Sequence, residues 1–80
     1  MPTIQRRNGF RFYFFSNEGT EPRHVHVDRG GSTAKVWLRP VAVARSIGFN
    51  VAELWSLVAI VREHQSEFER AWDEHFDRSD

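Results

Sequence analysis

The chain has 80 residues, no cysteine and a formal net charge of zero at pH 7. This length suits one domain and leaves little interior for a large buried catalytic pocket, and a chain without cysteine forms neither disulfides nor thiolate metal sites. A hydrophobic content of 40%, with three Trp and seven Phe, is too high for an intrinsically disordered chain. The sequence shows neither the apolar core of a signal peptide nor a membrane-length apolar run, so we expect a cytoplasmic protein with no membrane partner.

Charge is divided unevenly along the chain. Residues 1–45 contain eight basic and three acidic side chains, whereas residues 46–80 contain three and eight. One explanation is that an acidic C-terminal helix covers its own basic half. The other is that the basic half binds an anionic partner.

The front of the chain predicts β-strands and begins with a hairpin. Residues 3–7 and 10–15 flank Asn8-Gly9, and this dipeptide is a strong hairpin signal because both central residues of a type I′ turn need a positive φ. Residues 16–22 are polar and include a proline, which predicts a loop.

Two further strands are expected before residue 40. His24 to Asp28 alternates polar residues with valine, and residues 34–39 alternate again after a turn at Gly30-Gly31. The first 39 residues therefore predict an antiparallel sheet of three to four strands.

Residues 40–48 predict a short helix. Pro40 suits the first position of a helix because its fixed φ is already helical, and Gly48 suits the residue just past the end. This segment would join the sheet to the helical back of the chain.

Residues 50–77 predict a long helix. Asn50 serves as its N-cap, and Glu53, three residues later, completes a capping box. Such a helix spans about 40 Å, which exceeds the roughly 20 Å that short strands cover.

The excess length allows two arrangements. Either the helix bends around residues 64–66, or its last turns project beyond the sheet and present an apolar stripe to a second chain. We favour the second, which makes Phe68, Trp72 and Phe76 candidate interface residues. The whole prediction is a single α+β domain over residues 1–80, with the helices packed on one face of the sheet.

The two faces of the predicted sheet differ in character. One is apolar and forms the core through Phe10, Phe12, Phe14, Val25, Val27, Ala34, Val36 and Leu38. The other combines rings with cations, which stack on unpaired bases and neutralise phosphates in single-stranded RNA binders. The candidate nucleic-acid-binding residues are Arg11, Tyr13, Arg23, His24, His26, Lys35, Trp37 and Arg39. Alternatively, basic stems, the loop or a partner shield these rings.

His24 and His26 lie two residues apart on a predicted strand, so both imidazoles point to the same side. They could bind a divalent metal together with Asp28. They could also serve as general acid and base in RNA cleavage, with Arg11 and Lys35 stabilising the charged transition state. In a structural role, they hydrogen-bond to the loop at residues 16–22 or lie in an interface.

Segments spread along the whole chain resemble one family of small bacterial proteins, the domain of unknown function 4160 family. These segments are MPTIQR, GFRFYFFSNE, PRHVHV, AKVWLRPV, the GF before the long helix, and EFERAWDEHF. The family's usual double proline is here Pro22-Arg23, while both histidines match. The resemblance implies genes encoded beside the domain of unknown function 2442 family and a toxin–antitoxin-like module.

Three functions are compatible with these patterns. The first is an interaction component of the two-gene module, which binds its co-encoded partner or itself as a homodimer. The second is an RNA-directed toxin that uses the His, Arg and aromatic face. The third is a divalent-metal-binding protein, the one case that needs a cofactor. The chain lacks a nucleophile elbow and phosphate-binding loops, which argues against a self-sufficient enzyme.

Overall fold

The computed structural model describes residues 3–15 and 18–76. Within them the chain forms one antiparallel sheet of five strands, in the order of the sequence, followed by two helices. The predicted α+β class is therefore confirmed, with one strand more than expected. No helix in the described part of the chain is long and apolar enough to cross a membrane. The strands are β1 (Thr3–Arg7), β2 (Phe10–Tyr13), β3 (His24–Arg29), β4 (Ser32–Leu38) and β5 (Val41–Ile47).

Both predicted turns join neighbouring strands. Asn8 and Gly9 have φ angles of 52° and 82°, as a type I′ turn requires, and they connect β1 to β2. Gly30-Gly31 connects β3 to β4, and of these two residues only Gly30 has a positive φ, of 60°. The hairpin signals in the sequence thus predict the pairing of β1 with β2 and of β3 with β4. Strand β2 ends at Tyr13, two residues earlier than expected.

The predicted short helix at residues 40–48 is wrong, because this segment forms β5. The strand pairs antiparallel with β4, with one register shift opposite Lys35 and Val36, and the chain reverses at Arg39 and Pro40, whose peptide bond is cis. Pro40 therefore occupies a hairpin turn and not the start of a helix. Val41, Val43 and Ile47 are β-branched, which suits a strand once β4 supplies the hydrogen-bonding partner.

The long helix is divided into α1 (Val51–Glu63) and α2 (Gln65–His75). The capping box of Asn50 and Glu53 is confirmed, with both reciprocal hydrogen bonds present. The helix is interrupted at His64, where φ is −110° and ψ is 21°. Of the two arrangements considered, the chain takes the bend. The predicted end of the helix at residue 77 lies outside the described residues.

The bend turns the predicted interface stripe into the core of the domain. Phe68 and Trp72 are completely buried, and Phe76 is partly buried against them. The expectation that these three side chains project toward a second chain is therefore wrong for Phe68 and Trp72. Phe68 and Trp72 are buried because they cover the phenylalanine rings of the sheet: Phe68 contacts Phe12, and Trp72 contacts Phe14.

The core follows the predicted alternation. All eight side chains expected on the apolar face of the sheet are buried. The helices complete this cluster with Leu57, Ile60, Val61, Phe68 and Trp72. The face of β2, β3 and β4 that carries the histidines is thereby directed away from the main core.

Ion pairs connect the basic half of the chain to the acidic half. Arg23 bonds to Asp73 at 2.8 Å, Arg29 to Glu53 at 2.8 Å, and Arg39 to Glu69 at 2.7 Å. Each pair reaches the surface and contributes only modestly to stability. These contacts within one chain account for a large part of the uneven charge distribution.

Gly48, between β5 and α1, provides a test of this architecture. Its φ is +91°, and an added Cβ would lie 3.3 Å from the Ser32 Cα atom. We expect Gly48→Ala to lower the free energy of unfolding by about 1–2 kcal/mol, because side chains rarely adopt this backbone conformation. Urea denaturation measures the change. Gly31→Ala is the matched control, since nothing lies within 4 Å of its added Cβ, and equal losses in both variants would contradict the assignment.

Candidate functional site

The site is built on the alternation of β3. Val25 and Val27 enter the core, while His24 and His26 lie on the other side of the strand, beside Trp37 and Lys35 of β4. The imidazoles are not on an open surface, however. His24 is 0% exposed and His26 is 4% exposed, which fits the alternative in which other parts of the chain shield this face.

The loop between β2 and β3 covers the two imidazoles. One carboxylate oxygen of Glu18, Oε1, lies 2.8 Å from His24 Nε2 and 2.7 Å from His26 Nε2. The same atom therefore bridges both imidazoles. The expected hydrogen bonding of the histidines to this loop is confirmed at Glu18 and Pro22, while residues 16 and 17 lie outside the described part of the chain.

A second contact fixes the orientation of the His24 ring. Its Nδ1 atom lies 2.8 Å from the carbonyl oxygen of Pro22. A carbonyl oxygen only accepts hydrogen bonds, so Nδ1 carries a proton and donates it. Nε2 is consequently the atom that His24 directs toward Glu18 and His26.

Aromatic rings enclose the two imidazoles. Phe15 contacts His26 edge-on at a centroid separation of 4.4 Å, and Tyr13 stacks on it at 5.5 Å. Trp72 of α2 contacts the His24 ring at 4.8 Å. These rings remove water from most of the surface of both imidazoles, which strengthens electrostatic interactions at the nitrogen atoms.

The electrostatics of the cluster favour a charged carboxylate and a neutral imidazole. Burial raises the pKa of the Glu18 carboxyl, but hydrogen bonds to His24 and His26 outweigh that effect and hold the pKa below its ordinary value of 4.5. Burial lowers the pKa of His26 below 6.5, although Glu18 acts in the opposite direction. At neutral pH, Glu18 is ionised and His26 is uncharged.

Helix α2 holds the loop that carries Glu18. Arg23 forms a bidentate ion pair with Asp73, with distances of 2.8 and 3.0 Å. Gly19 packs directly against Phe76, since a Cβ at this position would lie 2.6 Å from Cδ1 of that ring. The site therefore depends on the end of α2 as well as on β3.

Of the three predicted metal ligands, Asp28 does not reach the histidines, and Glu18 takes its place. Asp28 accepts a hydrogen bond from the Tyr13 hydroxyl at 2.9 Å and lies 3.8 Å from Arg11. Burial, followed by this contact with Asp28, raises the pKa of Tyr13. Among the described residues, the group whose ligand atoms converge is Glu18, His24 and His26. Sequence reasoning missed Glu18 because a loop residue has no periodicity that assigns it to a face.

The candidate nucleic-acid-binding cations interact with carboxylates of the same chain. Lys35 contacts Glu21 at 2.7 Å and its ammonium lies over the Trp37 ring, while Arg11 lies over the Tyr13 ring. Arg23 and Arg39 pair with residues of α2, as described above. Because Tyr13 is also buried, the rings are shielded by basic stems and the loop. RNA binding and RNA cleavage by this face stay predictions.

The lowered pKa values predict an acid-sensitive fold. A group whose pKa is lower in the folded state resists protonation there, so its stabilising contribution is lost as the pH falls. For His26 the loss begins below about 6.5, and for Glu18 below about 4.5. We expect the free energy of unfolding, measured in urea, to decrease from pH 7.5 to pH 5.5.

His26→Gln should reduce this decrease because the variant lacks the titrating group. His75→Gln, at the exposed end of α2, is the matched control and should retain the dependence of the unmodified chain. The same pH dependence in the unmodified chain and in His26→Gln would contradict the assignment.

Comparison with known proteins places this arrangement in a family. The sequence model described as Domain of unknown function (DUF4160) matches residues 9–73 of the 80-residue chain. This segment contains Glu18, His24 and His26. No curated protein and no solved structure matches the chain significantly. The extent of the family match shows that the chain belongs to the domain of unknown function 4160 family.

Proposed function

We propose that this protein is the interaction component of a two-gene, toxin–antitoxin-like module and that it binds its co-encoded partner through α1 and β5. The resemblance of the chain to proteins encoded beside the domain of unknown function 2442 family supports the identity of the partner. The observation that carries the proposal is an exposed apolar surface away from the histidine cluster. We call it the α1/β5 surface, and it comprises Val43, Val51, Leu54, Trp55 and Val58.

The helical part of the α1/β5 surface is a groove. Val51, Leu54, Trp55 and Val58 line it, at the i, i+3, i+4 and i+7 spacing that places side chains on one side of a helix. Val51 is 70% exposed and Trp55 is 68% exposed. Large rings of this kind carry much of the binding energy when they occur in protein interfaces.

The strand part of the surface is the free edge of the sheet. Within the described residues, β5 pairs only with β4 and forms an outer edge of the sheet. Val43 pairs with the core residue Val36, so it lies on the helix side of the sheet, and it is 38% exposed. Ile47 is 62% exposed but lies on the opposite side, in a pocket that His26 also lines. An exposed edge of seven residues can accept a strand from another chain through backbone hydrogen bonds.

Charge favours a different chain over a second copy of this one. Arg45 is the only charged residue of β5, and its neighbour across the strand pair is Lys35. Antiparallel pairing of two β5 strands around Ala44 would place both Arg45 guanidinium groups on the same face. A partner strand with a carboxylate opposite Arg45 and apolar side chains for the groove is complementary to this surface.

Coexpression with the genomic neighbour tests the proposal. With a tag on the neighbour, we expect the unmodified chain to copurify and Trp55→Glu to lose affinity by tenfold or more, since a charge in the apolar groove has no partner. Ser56→Glu is the matched control, because Ser56 is also exposed on α1 but lies outside the groove. Growth of cells that express each gene alone and both together reports whether the pair acts as a toxin and its antidote.

Two outcomes would overturn the proposal. One is equal copurification of Trp55→Glu and Ser56→Glu. The other is a homodimer of the chain alone, seen by size-exclusion light scattering, that Trp55→Glu dissociates while the neighbour does not bind. The second result would assign the α1/β5 surface to self-association.

A further inference from the structure

We propose that Glu18, His24 and His26 form a binding site for one divalent transition-metal ion, and that Zn²⁺ is the cation that suits it best. The inference is independent of the interaction proposed above, because this cluster and the α1/β5 groove share no residue. It rests on the ligand set, on the contact that orients His24, and on the burial of the two imidazoles.

The ligand set matches a recurring type of metal centre. One ring nitrogen each of His24 and His26 and a carboxylate oxygen of Glu18 lie within 4.8 Å of one another. Two imidazoles and one carboxylate bind zinc in hydrolytic enzymes and iron in oxygenases, and both centres leave a position for water. Asp28 is not required, because the loop supplies the carboxylate that the strand does not.

The two separations between the Glu18 oxygen and the imidazoles are close to those of an occupied centre. Zinc bonds of about 2.0–2.1 Å in a tetrahedral arrangement separate neighbouring ligand atoms by about 3.3 Å. The Glu18 oxygen lies 2.8 and 2.7 Å from the two Nε2 atoms. An entering cation would thus replace two hydrogen bonds and widen the cluster by roughly half an ångström, which a small rotation of the Glu18 side chain accommodates.

The contact between His24 and Pro22 is the kind that metal-bound histidines make. Such residues usually donate their second ring N–H to a carbonyl or carboxylate, which selects the tautomer and orients the coordinating nitrogen. Here Nδ1 donates to the Pro22 carbonyl, and Nε2 is directed into the cluster. A histidine needed only for packing would not require Nε2 to meet a second histidine and a carboxylate.

Solvent access and charge at the cluster favour binding of a cation. The side chains of His24 and His26 are 0% and 5% exposed, whereas that of Glu18 is 19% exposed, so solvent reaches the cluster mainly beside the carboxylate. The Lys35 ammonium acts on His26 from the same face, but Glu21 pairs with it at 2.7 Å. The ionised Glu18 is then the charge that attracts the metal.

Glu18→Gln separates metal binding from a purely structural role. Glutamine has the size of Glu18, and its amide offers both an acceptor oxygen and an N–H donor to the two imidazoles, so the loop can keep hydrogen bonds at this position. A neutral amide is, however, a poor zinc ligand. His24→Ala is less informative because loss of a fully buried ring threatens folding.

Calorimetric titration with Zn²⁺ at pH 7.5 tests the site on untagged, chelator-treated, full-length protein. We expect one ion per chain with a dissociation constant of about 1 μM or lower. Glu18→Gln should weaken binding at least tenfold, whereas Glu74→Gln, an exposed glutamate of α2, should bind like the unmodified chain. Circular dichroism confirms that each variant is folded.

A second readout uses the spectrum of Co²⁺ in place of zinc. Coordination by two imidazoles and a carboxylate should give visible absorption bands in the unmodified chain that Glu18→Gln lacks. The absence of stoichiometric Zn²⁺ binding, or equal affinity in the unmodified chain and in Glu18→Gln, would show that the cluster is a hydrogen-bonded anchor and nothing more. Trp55→Glu should bind Zn²⁺ normally, so failure of one proposal leaves the other standing.

Discussion

The convergence of two imidazoles on one oxygen atom of Glu18 is the interaction on which the outer face of the sheet depends. His24 and His26 are buried, and a buried ring nitrogen without a partner costs about 1–3 kcal/mol. Glu18 satisfies both rings at once and draws the chain between β2 and β3 across them. This closure turns a strand surface that carries histidines, rings and cations into an enclosed cluster. It also concentrates chemically reactive nitrogen atoms around a single negative charge.

Local signals in the sequence determine much of the fold. The hairpin at Asn8-Gly9, the alternation of core side chains along β2 to β4, and the capping box at Asn50 could all be predicted, because each depends on neighbours close in the chain. The segment at residues 41–47 could not. Pro40 and Gly48 have the positions that delimit a helix, whereas the β-branched residues favour a strand, and only pairing with β4 decides between them.

The candidate site shows the same limit. The placement of His24 and His26 on one side of a strand followed from period-two geometry, but the identity of the third member did not. Asp28 lies on the correct side, yet the Tyr13 hydroxyl binds its carboxylate. Glu18 reaches the cluster because the loop folds back, and α2 then covers Phe14 and contacts His24 through Trp72. These are tertiary contacts that no spacing rule encodes.

The attachment of the loop to the end of α2 has a consequence for motion. Arg23 with Asp73, Gly19 with Phe76, and His24 with Trp72 tie the two segments together at three points. Neither segment can then detach without the other, so the two should open as one cooperative unit in amide hydrogen exchange. Protection of the last turns of α2 would therefore report on the state of a carboxylate more than fifty residues earlier in the chain. A change at the C-terminal end of α2 would therefore alter the environment of His24 and His26.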